Sequence, residues 1–131
     1  MRNVFDQYSQ PENRLTHALL TALNADRTLL KAFLRWLNVE ARVKVDKLHL
    51  AEQTIVGQPE ITEDEAEKRG LPDGWIHDDD GEWCLLIESK VSSKLTADQV
   101  QRHYRTAERC GYTSITVLAI EVYPPIMKTR D

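Results

Sequence analysis

Three charged residues near the middle of the chain, Asp73, Glu88 and Lys90, are of the types that hydrolytic sites use. Glu88 and Lys90 directly follow an apolar run of strand-forming residues, WCLLI, and Asp73 stands fifteen positions upstream of Glu88. Asp80-Gly81, between Asp73 and that run, is a pair typical of tight hairpin turns. The segment therefore reads as a β-hairpin that carries carboxylates and a lysine at its open end.

The turn fixes which of these residues face each other. A turn centred on Asp80-Gly81, or a symmetric four-residue loop, sets Asp73 directly across from Glu88. Lys90 then lies on the same face as Glu88, because side chains alternate along a strand with period two. A bulge in the turn would break this register.

Two like charges directly opposite each other destabilise a sheet, so Asp73 and Glu88 need compensation. One option is a shared proton and a raised pKa. Another is a divalent cation, and carboxylate oxygens select magnesium, manganese or calcium. Lys90 could stabilise an anionic transition state or orient a water molecule. A plainer interpretation makes Asp73 a turn residue after Pro72, and Glu88 and Lys90 an exposed, charged strand end.

Composition bounds the kind of protein that these residues serve. The chain has 131 residues, 41% hydrophobic and 29% charged, which is typical of one soluble globular domain spanning residues 1–131. It lacks a secretory signal and any apolar run of about 18 residues, so we expect a cytoplasmic protein with no membrane segment. The net charge of −4 argues against a basic nucleic-acid coat but not against a nuclease. Residues 59–70 are predicted to form an acidic surface insertion.

The elements around the hairpin follow from periodicity and capping signals. The predicted order is helices, strands, helix and strand, and therefore an α/β fold with a mixed central sheet flanked by helices. The predicted helices are Pro11–Ala25, with Ser9 and Glu12 as a capping box, a second helix capped by Asp26, and residues 96–110, with Thr96 and Gln99 as a capping box. The predicted strands are residues 42–46, residues 48–56, the two arms of the hairpin, and Ser114–Val122. The inward stripe of the last helix is predicted to be Ala97, Val100, Tyr104 and Ala107.

Pro72-Asp73, followed fifteen residues later by Glu88-Ser89-Lys90 at the end of an apolar strand, resembles the signature of the PD-(D/E)XK nuclease superfamily. The order of elements is similar to the restriction-endonuclease-like α-β-β-β-α-β core of that superfamily. Glu12 resembles its upstream acidic residue. Gln99 and His103, one helical turn apart, resemble the helix motif of its RecB-like branch.

The resemblance implies a metal-dependent nuclease that hydrolyses phosphodiester bonds in DNA with Mg²⁺ or Mn²⁺. Asp73 and Glu88 would bind the metal, with the Ser89 carbonyl completing its ligands and Glu12 as an accessory ligand. Lys90 would position or activate the attacking water.

Basic residues around the last helix are candidates for contacts with phosphates. Arg102, Arg105 and Arg109 share one flank, and Lys94 precedes the helix, so the set predicted to bind nucleic acid is Gln99, His103, Arg102 and Lys94. A homodimer would supply a second site for a second strand. Two other functions fit the same residues: a catalytically inactive nuclease-fold domain that binds nucleic acid or protein, and a metal-free enzyme that uses Asp73 and Glu88 as an acid/base pair.

Overall fold

The computed structural model describes residues 11–39, 44–52, 71–79, 81–91 and 94–122, without the side chains of residues 11–13. Three helices and four strands make up this part of the chain, together with a short 3₁₀ helix at Val45–Lys47. The helices are α1 Pro11–Ala25, α2 Arg27–Trp36 and α3 Ala97–Arg109. The strands are β1 His49–Glu52, β2 Gly74–His77, β3 Trp83–Val91 and β4 Ser114–Val122. The acidic insertion at residues 59–70 and the Ser9 cap lie outside the described residues.

The four strands form one mixed sheet in the order β1-β2-β3-β4. β1 and β3 each pair antiparallel with β2, and β4 pairs parallel with β3 after the α3 crossover. This arrangement confirms the predicted mixed α/β class, with helices on both faces of the sheet. In the part of the chain that the structure describes, no helix combines the length and apolar character that crossing a membrane requires.

The central strand β3 separates two apolar layers, because its side chains alternate between the faces of the sheet. Leu85 and Ile87 point towards α1 and α2, where Leu20, Leu23 and Leu34 are also buried. The opposite face packs against the α3 side, with a smaller set of buried residues: Trp75, Cys84, Leu86, Ala107 and Tyr112. Cys84 is fully buried, as a small hydrophobe would be, and burial raises the pKa of its thiol to about 12.

The caps of α2 and α3 confirm the predicted helix starts. The Asp26 carboxylate accepts hydrogen bonds from the backbone N–H groups of Thr28 and Leu29. Thr96 and Gln99 form the reciprocal capping box of α3, with Thr96 Oγ1 accepting from the Gln99 N–H at 3.2 Å. These bonds satisfy N–H groups that have no partner inside the helix.

The predicted strand at residues 42–46 is wrong where it can be checked. Val45–Lys47 is a 3₁₀ helix, while residues 42 and 43 lie outside the described part of the chain. The Arg27 guanidinium donates to the carbonyls of Val45 and Leu48, at 3.1 and 2.6 Å, and these bonds hold the turn against α2. The next predicted strand, residues 48–56, is confirmed over His49–Glu52, as β1, and residues 53–56 lie outside the described part of the chain.

The predicted inward stripe of α3 is confirmed at Ala107 but wrong at Ala97, Val100 and Tyr104, because the helix is rotated about its axis. Val100 and Tyr104 are exposed, and the buried residues are His103, Thr106 and Ala107. Thr106 satisfies its hydroxyl by donating to the Arg102 carbonyl at 2.9 Å. Polar contacts therefore set this face of the helix, and apolar periodicity alone could not reveal them.

Candidate active site at the end of the hairpin

The β2–β3 hairpin has the predicted register. Gly74 pairs with Ile87 and Trp75 pairs with Leu86, so the ladder leads directly to Asp73 and Glu88 at its open end. At the closed end the Asp78 N–H donates to the Trp83 carbonyl at 3.3 Å, which closes a symmetric four-residue loop. This bond continues the same register beyond His77 and Cys84, and so Asp73 and Glu88 remain neighbours.

Reciprocal backbone bonds hold the two carboxylates together. The Ser89 N–H donates to Asp73 Oδ2 at 2.8 Å, and the Asp73 N–H donates to Glu88 Oε2 at 3.2 Å. Asp73 is 7% exposed and Glu88 is 8% exposed. The plainer interpretation of Glu88 as an exposed strand end therefore does not hold, because both acids lie in a poorly solvated environment.

Two basic side chains converge on Glu88. Lys90 Nζ lies 3.7 Å from Glu88 Oε1, and His103 Nε2 lies 3.2 Å from Glu88 Oε2. The His103 contact is an ion-pair distance without the alignment of a hydrogen bond, and it carries charge when the imidazole is protonated. His103 is 4% exposed, so α3 brings it into the site as a buried side chain.

The electrostatics of the pair favour a proton on Asp73. Burial, followed by the charge of Glu88, raises the pKa of Asp73 from its ordinary value of 3.8 to about 7. The Ser89 N–H, Lys90 and His103 act in the opposite direction, because each favours the ionised carboxyl. Without a cation, burial beside Glu88 therefore favours the protonated form of Asp73, and the two carboxyl groups supply hard oxygen donors side by side.

Helix α1 supports the open end of the hairpin from the other face of the sheet. The Thr16 and Ser89 hydroxyls share a hydrogen bond of 2.7 Å between buried side chains. Gly74 permits the close approach, because a Cβ at this position would lie 2.6 Å from Leu20 Cδ1 and 2.9 Å from Thr16 Cγ2. Sequence reasoning missed Thr16, since a lone threonine in a helix carries no distinctive signal.

The structure gives less support to the roles predicted for the remaining site residues. Glu12 lies in the first turn of α1, but its side chain is outside the described residues. Gln99 Oε1 accepts from the Thr96 N–H at 3.0 Å, so its carbonyl serves the α3 cap. Arg102 and Lys94 are exposed, and their contacts with nucleic acid remain predictions.

Metal binding is likewise a prediction. Within residues 11–39, 44–52, 71–79, 81–91 and 94–122, no group of three or more His, Cys, Asp or Glu side chains is arranged to hold a metal ion. Asp73 and Glu88 supply two carboxylates, and Ser89, whose carbonyl is the third predicted ligand, directly follows Glu88 in β3. A cation binding there would compete with Lys90 and His103 for the Glu88 oxygens.

A second polar cluster, which sequence reasoning missed, lies at the closed end of the hairpin. His49 Nε2 contacts Asp79 Oδ1, and His77 Nδ1 donates to the Asp78 carbonyl at 3.0 Å. The two imidazole rings lie 5.3 Å apart. The His49 contact joins residues thirty positions apart, so no local pattern could have revealed it.

Trp75 is an aromatic residue of the hairpin, and an exposed indole there could stack a nucleic-acid base. It is fully buried and its ring lies 6.2 Å from that of Tyr112, which settles its place in the core. Base stacking on Trp75 is therefore excluded.

Comparisons with protein-family models, with curated proteins and with solved structures each gave no match. The resemblance to PD-(D/E)XK nucleases accordingly rests on the motif and on the order of elements described above.

Proposed function

We propose that this protein is a metal-dependent nuclease that hydrolyses phosphodiester bonds in DNA. The observation that carries the proposal is the pairing of Asp73 with Glu88 at the buried end of the hairpin, with Lys90 Nζ 3.7 Å from Glu88. The observed order of helices and strands is compatible with a restriction-endonuclease-like fold, which the proposal includes.

The roles of the residues follow from their chemistry. Asp73, Glu88 and the Ser89 carbonyl would hold Mg²⁺ or Mn²⁺, since these ions prefer hard oxygen ligands. When bound, such an ion lowers the pKa of water and screens the charge of the phosphate. Asp73 must lose its proton before it can serve as a ligand, and burial beside Glu88 makes this loss costly in the absence of a cation.

Lys90 contributes positive charge to the site, and His103 contacts Glu88 from the other side. During hydrolysis the water oxygen forms a new bond to phosphorus, the bond to the leaving oxygen breaks, and negative charge grows on the phosphoryl oxygens. The Lys90 ammonium, next to Glu88 in the sheet, is placed to stabilise that charge or to orient the water. His103 would hold the Glu88 carboxylate from the α3 side of the site.

The test is a cleavage assay on supercoiled plasmid and on labelled single strands, with Mg²⁺, Mn²⁺ or a chelator. Wild type is compared with Lys90→Ala and with Lys47→Ala, a matched loss of an exposed lysine on the 3₁₀ helix. We expect metal-dependent cleavage by wild type and Lys47→Ala, and none by Lys90→Ala. Cleavage that persists in Lys90→Ala contradicts the proposed site.

Two other outcomes distinguish the competing functions. Activity that survives in the presence of a chelator would favour a metal-free acid/base pair. The raised pKa of Asp73 would then suit this residue to act as the general acid. Nucleic-acid binding without cleavage under any condition would favour the catalytically inactive binding domain.

A further inference from the structure

A cavity of about 760 Å³ lies between α2 and the 3₁₀ helix, away from the hairpin site. It is beside the start of β1, where His49 pairs with His77 and His77 pairs with Cys84 at the closed end of the hairpin. Glu88 lies four residues beyond Cys84, roughly 13 Å along β3, and its side chain is on the α3 face of the sheet, whereas α2 packs against the other face. The cavity is therefore separate from the carboxylate pair.

The lining of the cavity is strongly cationic in a chain whose net charge is −4. Four basic residues line it, Arg27, Lys31, Arg35 and Lys44, against a single acid, Asp46. Such a local excess of one sign focuses the electrostatic potential in a concave surface. The cavity is thus suited to an anionic ligand.

Helix α2 concentrates this charge without compensating it. Its sequence, RTLLKAFLRW, contains no acidic residue, and its three cations follow one another at spacings of four, so they share one face. Like charges at this spacing repel each other along a helix. The helix dipole favours Arg35 in the last turn, but it does not account for Lys31 in the middle.

Arg27 differs from the other three cations because its guanidinium is already used. It donates to the Val45 and Leu48 carbonyls at 3.1 and 2.6 Å, and to Asn24 Oδ1 at 2.8 Å. These bonds tie the two walls of the cavity together. Lys31, Arg35 and Lys44 are exposed, and none of them forms an ion pair with the described residues.

The floor of the cavity is apolar. Leu34 is buried, and Val39 and Val45 are half-buried around it. Binding cavities for organic ligands typically measure about 300–1,000 Å³ and combine an apolar surface with a few placed polar groups. A ligand that fits both features carries phosphates for the basic side and an apolar or planar part for the floor.

We propose that this cavity binds the phosphates of a nucleotide-sized ligand through Lys31, Arg35 and Lys44, with the apolar or planar part of the ligand on Leu34, Val39 and Val45. The phosphates could belong to a free nucleotide or to a single-stranded nucleic acid. The two sources share the same chemistry, and separate arms of one experiment distinguish them.

The experiment measures ligand binding to the full chain by isothermal titration calorimetry. The buffer contains a chelator, which removes any contribution of a metal at the hairpin. The probes are ATP, adenosine and a short single-stranded oligodeoxythymidine. Wild type is compared with Lys31→Ala/Arg35→Ala, and with Arg14→Ala/Lys47→Ala, a matched loss of two exposed cations that do not line the cavity. Circular dichroism verifies that each variant is folded.

We expect ATP to bind at least about tenfold more weakly to Lys31→Ala/Arg35→Ala than to wild type, because charge-assisted bonds to phosphate are lost. The control pair should stay within about twofold, because neither side chain lines the cavity and exposed charges outside it are screened by salt. Asp46→Asn should bind ATP about threefold more tightly, since it removes the one repulsive charge of the lining. This change of opposite sign cannot arise from loss of folding.

Binding of ATP but not the oligonucleotide identifies a free nucleotide as the source of the phosphates. Binding of the oligonucleotide with the same dependence on Lys31 and Arg35 identifies nucleic acid. The proposal is overturned if neither phosphate-bearing probe binds, if adenosine binds as tightly as ATP, or if both double variants weaken binding equally. The last outcome would mean that α2 presents an ordinary solvated basic face.

Discussion

The two ends of the β2–β3 hairpin each bury an aspartate, but they use it differently. At the closed end, Asp78 accepts from the Glu82 and Trp83 N–H groups at 3.1 Å each, one bond to each carboxylate oxygen. At the open end, Asp73 accepts one backbone bond and faces a second carboxylate, Glu88. A buried acid whose oxygens are satisfied by backbone donors closes a turn. A buried acid set against another acid costs stability, and such sites are candidates for chemistry.

The sharpest way to test this contrast is to neutralise each aspartate in turn. Asp73→Asn should reduce metal-dependent cleavage by at least about 10³-fold, because it removes a negatively charged ligand from the proposed site. Asp78→Asn should leave the rate per folded molecule within about tenfold of wild type. The measurement is single-turnover cleavage of a labelled duplex, normalised to folded protein. Equal losses of cleavage rate in the two variants would contradict the functional distinction between the two ends of the hairpin.

The same substitution of Asp73 should change stability with a characteristic pH dependence. Between pH 3.8 and about 7 the folded protein holds a proton on Asp73 that the unfolded chain releases. Wild-type stability therefore falls as pH rises through this window, since the folded state binds more protons. Asp73→Asn does not lose stability in this window. Above pH 7 its free energy of unfolding should exceed that of wild type by about 4 kcal/mol at most.

Urea unfolding in chelator, repeated below pH 3.8 and above pH 7, measures this difference. The gain of Asp73→Asn should nearly disappear at the acidic end, where wild-type Asp73 is protonated in both states. A gain that is the same at every pH would show that the carboxyl is not the source of the effect.

The closed end should respond in the opposite sense. Asp78→Ala leaves the Glu82 and Trp83 N–H groups without their acceptor, and Trp83 is buried. We expect a loss of about 1–3 kcal/mol in the free energy of unfolding, because a buried donor without a partner keeps its desolvation cost. Thermal or urea unfolding measures this. No loss, or a gain like that of Asp73→Asn, would contradict the structural role.

The smallest expected effect separates two roles of Gln99 near the open end. Gln99→Glu retains the capping box of α3, since glutamate also fills that position, so stability should change by less than about 0.5 kcal/mol. Its new negative charge should weaken binding of labelled single-stranded DNA about tenfold, if Gln99 contacts phosphates as the resemblance implies. Fluorescence anisotropy in chelator measures the affinity, and Gln99→Ala shows the result when the cap is lost as well. Unchanged affinity in Gln99→Glu would mean that Gln99 caps α3 and does not contact the nucleic acid.

Much of this molecule could be predicted from local sequence. The hairpin register followed from a turn signal and a period of two, and both are properties of neighbouring residues. The caps at Asp26 and Thr96 followed from residues whose side chains reach N–H groups two or three positions away. The pairing of Asp73 with Glu88 is therefore a result of sequence, because the two residues lie on adjacent arms of one hairpin.

Other features depended on contacts between residues far apart in the chain. The 3₁₀ helix at Val45–Lys47 replaced a predicted strand because Arg27, eighteen residues upstream of Val45, binds its carbonyl. The rotation of α3 followed from burial of His103 beside Glu88, which apolar periodicity cannot register. Thr16 reached Ser89 across seventy-three positions.

The sequence by itself therefore determined which charged residues face each other in the hairpin. The tertiary structure decided how much free energy this arrangement costs. Burial by the sheet and α3 raises the pKa of Asp73 to about 7, and that burial comes from packing rather than from any short motif. Desolvation depends on everything that surrounds a group, so it is a property of the folded molecule.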